Sequence, residues 1–240
     1  MNKKTIIIIG ATSGIGKALF EKYAEEGCYI GIVGRRTKLL DALCQLHPDN
    51  TYTATADITK RDEAEQAIGS LHTKLGSIDL AIVCSGTGDL NPLLDYAVER
   101  PTIDTNVTGW TFVVDMLYHI FEQQGHGHLV AISSVGGLRG EPGAPAYSAT
   151  KAYQINYMEA LRKKAFKAGG AITVTDVRPG LVDTAMAKGD GLFWVMPVEK
   201  VVSQICAAIH RKKSKVYVTK RWHILAMINK NLPFGVYKRM

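Results

Sequence analysis

Short apolar runs alternate along this chain with longer stretches in which apolar residues recur every three or four positions. The first run, at residues 4–9, is rich in isoleucine and leads directly into a glycine-rich segment. A continuous β-branched run of this length is typical of a strand that is buried on both faces of a parallel sheet. Similar runs follow, so the pattern predicts seven strands, at residues 4–9, 28–33, 51–55, 78–84, 129–133, 172–177 and 215–218.

Apolar residues at helical spacing fill the segments between these runs. They predict a first helix through Leu19, Phe20, Tyr23 and Ala24, and Asn91-Pro92 is expected to open another. Further helices are predicted at residues 38–46, 61–75, 104–124, 146–168 and, as the last helix, 198–210. This alternation predicts an α/β fold with a doubly wound parallel sheet and helices on both faces. Such sheets bind ligands at the carboxyl ends of their strands.

The composition favours one cytoplasmic domain over residues 1–240. The chain is 46% hydrophobic, and neither a linker, a repeat nor a low-complexity tract divides it. Its four cysteines have neither C-x-x-C spacing nor a pairing with histidine, so we expect reduced, mostly buried thiols and no bound metal. The first apolar run is too short for a signal sequence or a membrane span.

The net charge of +7 is concentrated near the C-terminus. Residues 211–240 contain nine Lys or Arg and no Asp or Glu, whereas residues 1–210 carry 20 basic against 22 acidic side chains. Basic residues that are confined to a tail, without a recognised binding motif, argue against nucleic acid as a partner.

A glycine-rich segment, Gly10-Ala-Thr-Ser-Gly14-Ile-Gly16, joins the first strand to the first helix. Glycines at such a turn let the backbone approach a pyrophosphate, which the positive N-terminus of the helix attracts. A tight turn without a ligand is the alternative. The strand before the turn and the helix after it favour a dinucleotide site.

Two arginines follow the second strand, in the segment Gly34-Arg35-Arg36. In dinucleotide-binding folds this position lies beside the adenosine ribose, where an acid suits a free 2′-hydroxyl and an arginine suits a 2′-phosphate. The sequence therefore favours NADP over NAD, with ordinary surface charges as the alternative. Asp57-Ile58 follows the third strand, where a loop could meet the adenine ring.

A possible acid–base site follows the fifth strand. Ser134 lies 13 residues before Tyr147, and Lys151 lies four residues after Tyr147, on the same face of a helix that opens near Ala146. An ammonium one turn away favours the phenolate and lowers a pKa that is ordinarily about 10. The Ser134 hydroxyl could bond the oxygen of a reacting carbonyl. A solvated Tyr–Lys pair on a surface helix is the alternative.

Taken in order, these motifs over residues 4–218 resemble the short-chain dehydrogenase/reductase family. The resemblance implies a Rossmann-like core at 4–218, a C-terminal extension at 219–240, and a homodimer or homotetramer that pairs through the helices at 104–124 and 147–168. It implies a nicotinamide cofactor whose binding residues are Gly10, Thr12, Ser13, Gly14, Ile15, Gly16, Arg35, Arg36, Asp57, Ile58, Ser85, Gly86, Asn106, Tyr147, Lys151, Pro179, Gly180, Val182 and Thr184.

The resemblance also implies the catalytic roles. Hydride would pass between the nicotinamide and a carbonyl or alcohol carbon. Tyr147 would protonate the developing alkoxide, and Ser134 would hydrogen-bond the same oxygen. Lys151 would hold the ribose hydroxyls and lower the pKa of Tyr147. Asn106 would fix a water that links Lys151 to solvent as a proton relay.

One segment departs from the family pattern. The family usually has Asn-Asn-Ala-Gly after the fourth strand, and this chain has Val83-Cys84-Ser85-Gly86. The amides that usually brace the central strands are absent. We therefore expect lower stability or an alternative packing through Cys84, with the cofactor site retained.

The last two segments bear on the substrate. Residues 189–196 are expected to form a lid, and the side chains that predict an apolar cleft are Met186, Leu192, Phe193, Trp194 and Met196. In the extension, the apolar run at 222–228 is flanked by basic residues and is too short to cross a bilayer. It either packs on the cleft or a neighbouring subunit, or lies on an anionic membrane surface.

The leading hypothesis is an NADP(H)-dependent oxidoreductase that works mainly as a reductase of an apolar ketone or aldehyde. One alternative is a regulatory protein that binds NADP without turnover. Another is a reductase of lipid ketones that associates with a membrane surface.

Overall fold

Seven parallel strands form one sheet in the computed structural model, which describes residues 3–187 and 193–239. The sheet has the order β3-β2-β1-β4-β5-β6-β7. Its strands are β1 (Thr5–Ile9), β2 (Tyr29–Gly34), β3 (Thr51–Thr55), β4 (Leu80–Val83), β5 (Gly127–Ile132), β6 (Ile172–Pro179) and β7 (Lys215–Val218). The order reverses beside β1, which places the crevice for a ligand beyond the carboxyl ends of β1 and β4.

Helices cover both faces of the sheet. They are α1 (Gly14–Glu25), α2 (Thr37–Leu46), α3 (Arg61–Leu75), α4 (Tyr96–Ile103), α5 (Trp110–Gln124), α6 (Pro145–Lys167), α7 (Val198–His210), α8 (Lys220–Asn231) and α9 (Phe234–Tyr237). A π-helical turn, Asp104–Gly109, joins α4 to α5, and a 3₁₀ turn, Val135–Leu138, follows β5. Among the described residues, no helix combines the length and the apolar character needed to cross a bilayer.

Side chains of β1 alternate between two hydrophobic clusters. Ile7 and Ile9 are buried in the cluster that includes side chains of α3, α5 and α6. Ile6 and Ile8 face the other cluster, which includes side chains of α1, α2 and α7. A strand with helices against both of its faces needs apolar residues at every position, which is why β1 has a continuous run. The predicted doubly wound α/β fold is confirmed.

The structure differs from the predicted elements in two places. One is the segment from Asn91 to Tyr96, and the other is the end of the chain. Asn91 does not open a helix, because its side chain bonds the backbone N–H and C=O of Asp95 in a turn. Asp95 then caps α4, accepting a hydrogen bond from the N–H of Ala97, and the helix begins at Tyr96. The predicted helix at 104–124 is a continuation of α4 through the π-helical turn. The helix at 198–210 is not the last, since α8 and α9 follow β7.

Candidate active site

The turn between β1 and α1 has no room for a side chain at Gly10 or at Gly16. Gly10 has a φ of +89°, and a Cβ added there would lie 2.7 Å from the backbone nitrogen of Ser85. A Cβ on Gly16 would lie 2.1 Å from the carbonyl oxygen of Gly10. Ser13 precedes α1, but its side chain does not cap the helix. The first backbone N–H groups of α1 are therefore left available to an anion.

Of the two arginines after β2, Arg36 lies close to this turn and Arg35 lies close to the loop after β3. Arg36 donates hydrogen bonds from Nη2 to the hydroxyls of Thr12 and Ser13, at 2.6 and 2.8 Å. Arg35 is exposed, and its Nη1 lies 3.8 Å from Asp57 Oδ2. Burial opposes ionisation of Asp57, but hydrogen bonds from Thr59 and the charge of Arg35 leave its pKa below the ordinary value. The two guanidinium groups give the end of β2 a positive charge.

Ser134 and Tyr147 are brought together beyond the end of β5. The Ser134 hydroxyl accepts a hydrogen bond from the N–H of Gly136 at 3.0 Å, which fixes its orientation. Tyr147 lies in the first turn of α6, where Pro145 starts the helix without losing a backbone hydrogen bond. The Ser134 hydroxyl lies close enough to the Tyr147 phenol to lower the pKa of that phenol. The structure thus brings the two side chains together, and their action on one substrate oxygen stays a prediction.

The expected lowering of the Tyr147 pKa is not found. Burial raises the pKa of the Tyr147 phenol, and the hydrogen bond with Ser134 opposes that shift. The Lys151 ammonium lies 5.8 Å from the centre of the Tyr147 ring and donates its hydrogen bonds elsewhere. Its Nζ bonds the carbonyl oxygen of Ile132 at 3.1 Å and Oε1 of Gln154 at 2.9 Å. The ammonium is therefore directed away from the phenol in this structure.

Lys151 itself is buried, and burial lowers its pKa to about 8, while Asp176 and Cys84 act in the opposite direction. A buried ammonium needs hydrogen-bond acceptors, and Ile132 and Gln154 supply two. Gln154 is a site residue that the sequence analysis missed. The available signal was a glutamine on the buried face of α6, three positions after Lys151.

Asn106 holds the loop that follows β4. Its Nδ2 donates hydrogen bonds to the carbonyl of Thr87 at 2.7 Å and to Thr150 Oγ1 at 3.0 Å, and its Oδ1 accepts from the N–H of Thr87 at 2.9 Å. Its own carbonyl accepts from Gln154 Nε2 at 2.9 Å. The connection between Asn106 and Lys151, expected to run through a water, is thus made directly by the side chain of Gln154.

The loop after β4 packs closely on the catalytic candidates. A Cβ on Gly86 would lie 3.3 Å from both Asn106 Oδ1 and Lys151 Nζ, and one on Gly88 would lie 2.3 Å from the Tyr147 ring. Cys84 packs against the core on the α1 side, and burial raises its pKa to about 12. Cys84 therefore packs on the core, while Gly86 lies beside Asn106 and Lys151.

Residues after β6 complete the edge of the site. Thr184 approaches the glycine-rich turn: its Cγ2 lies 3.2 Å from the position of a Cβ on Gly14. Val182 is buried and forms a bridge with Met196, and the half-buried Met196 packs against the core. Residues 188–192, with Leu192 and much of the predicted lid, lie outside the described residues. The remaining predicted cleft residues, Met186, Phe193 and Trp194, are exposed.

The C-terminal extension packs against the loops around the site. Trp222 Nε1 donates a hydrogen bond to the carbonyl of Trp194 at 3.2 Å, and its indole covers Gly180, which follows β6. Arg139, shortly after Ser134, donates to the carbonyl of Leu232 at 3.1 Å and lies 4.4 Å from the centre of the Tyr237 ring. The extension therefore packs near the site, while Ile224, Ile228, Phe234 and Val236 remain exposed.

The arrangement fits a bound dinucleotide. No side chain of Ser13 caps the N-terminus of α1, and two arginines stand at the end of β2. In addition, the hydroxyl of Ser85 is buried without a hydrogen-bond partner among the described residues. A buried hydroxyl without a partner costs free energy, so a ligand that bonds it at this edge is favoured.

Comparisons with known proteins agree with this geometry. A family model described as short chain dehydrogenase matches residues 4–191. An uncharacterized oxidoreductase of Staphylococcus haemolyticus is 30% identical over 191 residues, which cover 78% of this chain and 82% of that protein.

Two solved structures share the fold. A short-chain dehydrogenase from Burkholderia cenocepacia in complex with NADP has a TM-score of 0.85 at 20% identity, covering 99% of this chain and 97% of its own. A 3-ketoacyl-(acyl-carrier-protein) reductase from Brucella melitensis complexed with NADH has a TM-score of 0.78 at 19% identity. The match covers 90% of this chain and 96% of that reductase. Since the family model spans most of its length, the chain belongs to the short-chain dehydrogenase/reductase family of oxidoreductases.

Proposed function

We propose that this protein is an NADP(H)-dependent reductase of apolar ketones or aldehydes. The observation that carries the proposal is the convergence of Ser134, Tyr147 and Lys151 beside the glycine-rich turn, at the edge where doubly wound sheets bind ligands. A nicotinamide dinucleotide held at this edge would supply the hydride in the reductive direction and accept it in the oxidative direction.

The residues of the chain then act on the carbonyl oxygen. Tyr147 donates its phenolic proton to that oxygen as negative charge develops on it, and Ser134 donates a hydrogen bond to the same atom. Because burial raises its pKa, Tyr147 is protonated at neutral pH and available as the acid. Without a direct hydrogen bond, the positive charge of Lys151 favours the phenolate that remains, from 5.8 Å away from the centre of the ring. One of its three N–H donors is left for the ribose hydroxyls after its bonds to Ile132 and Gln154.

The preference for NADP rests on Arg35 and Arg36. The guanidinium of Arg36 lies over Thr12 and Ser13, and a guanidinium binds a phosphate through paired, charge-assisted hydrogen bonds. Of the two structural neighbours, one is in complex with NADP and the other with NADH. The choice between the two cofactors therefore depends on the side chains of this chain.

The proposed substrate class and assembly rest on exposed apolar side chains. Phe193 and Trp194 stack with ring centroids 4.3 Å apart near the site, and Met186 is also exposed. They suit an apolar group attached to the carbonyl carbon. Phe166, on the outer face of α6, is 82% exposed, which supports a homo-oligomer that pairs through α5 and α6.

Parallel titrations with NADPH and NADH at one salt concentration test the proposal. We expect NADPH to bind at least about tenfold more tightly, and Arg36→Ala to remove most of that advantage. Arg211→Ala, an exposed arginine at the end of α7, is the matched control and should leave the ratio unchanged. Tighter binding of NADH would refute the NADP preference alone. Failure of both cofactors to bind would refute the enzyme function.

A further inference from the structure

The side chain of Gln154 joins two parts of the candidate site that are 45 positions apart in the sequence. It lies one helical turn after Lys151 on α6 and is fully buried. Its Oε1 accepts a hydrogen bond from Lys151 Nζ at 2.9 Å, and its Nε2 donates one to the carbonyl oxygen of Asn106, also at 2.9 Å. Both polar ends of the amide are thus used.

The chemistry of the two partners determines how the amide is oriented. The ammonium of Lys151 has only donors, and the carbonyl of Asn106 is only an acceptor. A side-chain amide offers one oxygen acceptor and one N–H₂ donor, so it links the two in a single orientation. An apolar side chain at position 154 would leave both partners buried without these bonds, which is costly.

The surroundings of Lys151 increase the importance of this bond. Besides Gln154, the groups that face the ammonium are the carbonyl of Ile132 on β5, the carboxylate of Asp176 on β6, and Cys84 after β4. The ring of Tyr147, on α6 itself, is 5.8 Å away. Burial lowers the pKa of Lys151 to about 8, so each acceptor that favours the ammonium affects its charge at neutral pH.

We propose that Gln154 is a positioning residue that clamps the Lys151 ammonium to the backbone of Asn106, in the place expected for a relay water. Because the amide oxygen accepts a hydrogen bond from the ammonium, the clamp fixes the position of Lys151 and favours its charged form. The inference rests on the proposed function, since it assigns Gln154 a role through Lys151.

The titration of Lys151 in the cofactor-free protein tests the clamp directly. NMR of protein labelled with ¹³Cε-lysine follows each ammonium, and the Lys151 signal is identified by its loss in Lys151→Met. We expect Gln154→Leu to lower the pKa of Lys151 by about one unit, because an acceptor for its charged form is removed. Gln154→Glu, which is the same size, should raise the pKa because it places an opposite charge beside the ammonium.

Gln124→Leu is the matched control. Gln124 also uses its amide to join backbone groups, bonding the N–H and the carbonyl of Ile78 at 2.9 and 3.0 Å, but it lies at the other end of β4. Its loss should lower stability and leave the titration of Lys151 unchanged. If Gln154→Leu does not fold, the titration of Lys151 in Gln154→Glu tests the clamp by itself.

An unchanged Lys151 titration in the folded Gln154 variants would overturn the inference, whatever the protein catalyses. Where carbonyl reduction is observed, the pH profile of kcat/KM should shift in the same direction as the Lys151 titration. If the titration shifts and no carbonyl compound is reduced, the clamp stands and the proposed function fails. The two failures are therefore distinguishable.

Discussion

The glycine-rich turn after β1 and the polar cluster around Tyr147 lie at the same edge of one sheet, but different forces hold them. The turn is fixed by sterics among neighbouring residues, as the 2.1 Å approach of a Gly16 Cβ to Gly10 demonstrates. The cluster is fixed by hydrogen bonds between distant residues, such as Asn106 with Thr87 and Thr150. Substitutions in the turn should therefore change binding, whereas those in the cluster should change chemistry or proton affinity.

The largest expected effect is that of Tyr147→Phe. The variant keeps the aromatic ring that packs against Gly88 and loses only the hydroxyl that acts as the acid. We expect carbonyl reduction to fall by about 10²- to 10⁴-fold, with the Kd for NADPH unchanged within about twofold. Steady-state kinetics and a cofactor titration on the same preparation measure both. Turnover close to that of the native protein would exclude Tyr147 as the acid.

Lys151→Met should change the pH dependence of stability. The pKa of Lys151 is about 8 in the folded chain, against about 10.5 for an exposed lysine. Between these values the unfolded chain binds the proton and the folded chain does not, so this group increases stability as the pH rises.

The native protein should therefore gain on the order of 3 kcal/mol in free energy of unfolding relative to Lys151→Met as the pH rises from about 8 to about 10.5. Urea unfolding of both proteins across this range measures the difference. Below about pH 8 the difference should be constant. If the free energies of unfolding of the two proteins change in parallel with pH across this range, Lys151 titrates in the folded protein like an exposed lysine.

The same contrast explains what the sequence could and could not predict. The strands, the turn and the Ser134–Tyr147–Lys151 spacing are local patterns, so their residues can be recognised in order along the chain. The contacts of Gln154 with Asn106 and of Gly88 with the Tyr147 ring depend on how α6 packs on the π-helical turn and on the loop after β4. No local pattern encodes that packing, so these contacts were missed.

For a similar reason, the sequence did not determine what the C-terminal extension packs against. The run at 222–228 is equally compatible with a membrane surface and with a protein surface, because both bury apolar side chains beside basic ones. In this chain Trp222 packs against Gly180 and Arg139 packs against Tyr237, so part of the extension contacts the loops around the site. Both contacts join residues more than 40 positions apart.

The smallest effect compares two glycines outside the cluster. Gly16→Ala forces a Cβ to within 2.1 Å of the Gly10 carbonyl, which only a backbone shift can relieve, so we expect a loss of about 1–3 kcal/mol in stability together with weaker NADPH binding. Gly69→Ala, within α3, places its Cβ in open space and should stabilise the protein by up to about 1 kcal/mol without affecting cofactor binding. Thermal unfolding without NADPH measures the change in stability of each variant, and the added stability in the presence of NADPH measures cofactor binding. If the two variants change equally in stability and in NADPH binding, the turn tolerates a side chain at position 16. The explanation that sterics shape the cofactor site would then be wrong.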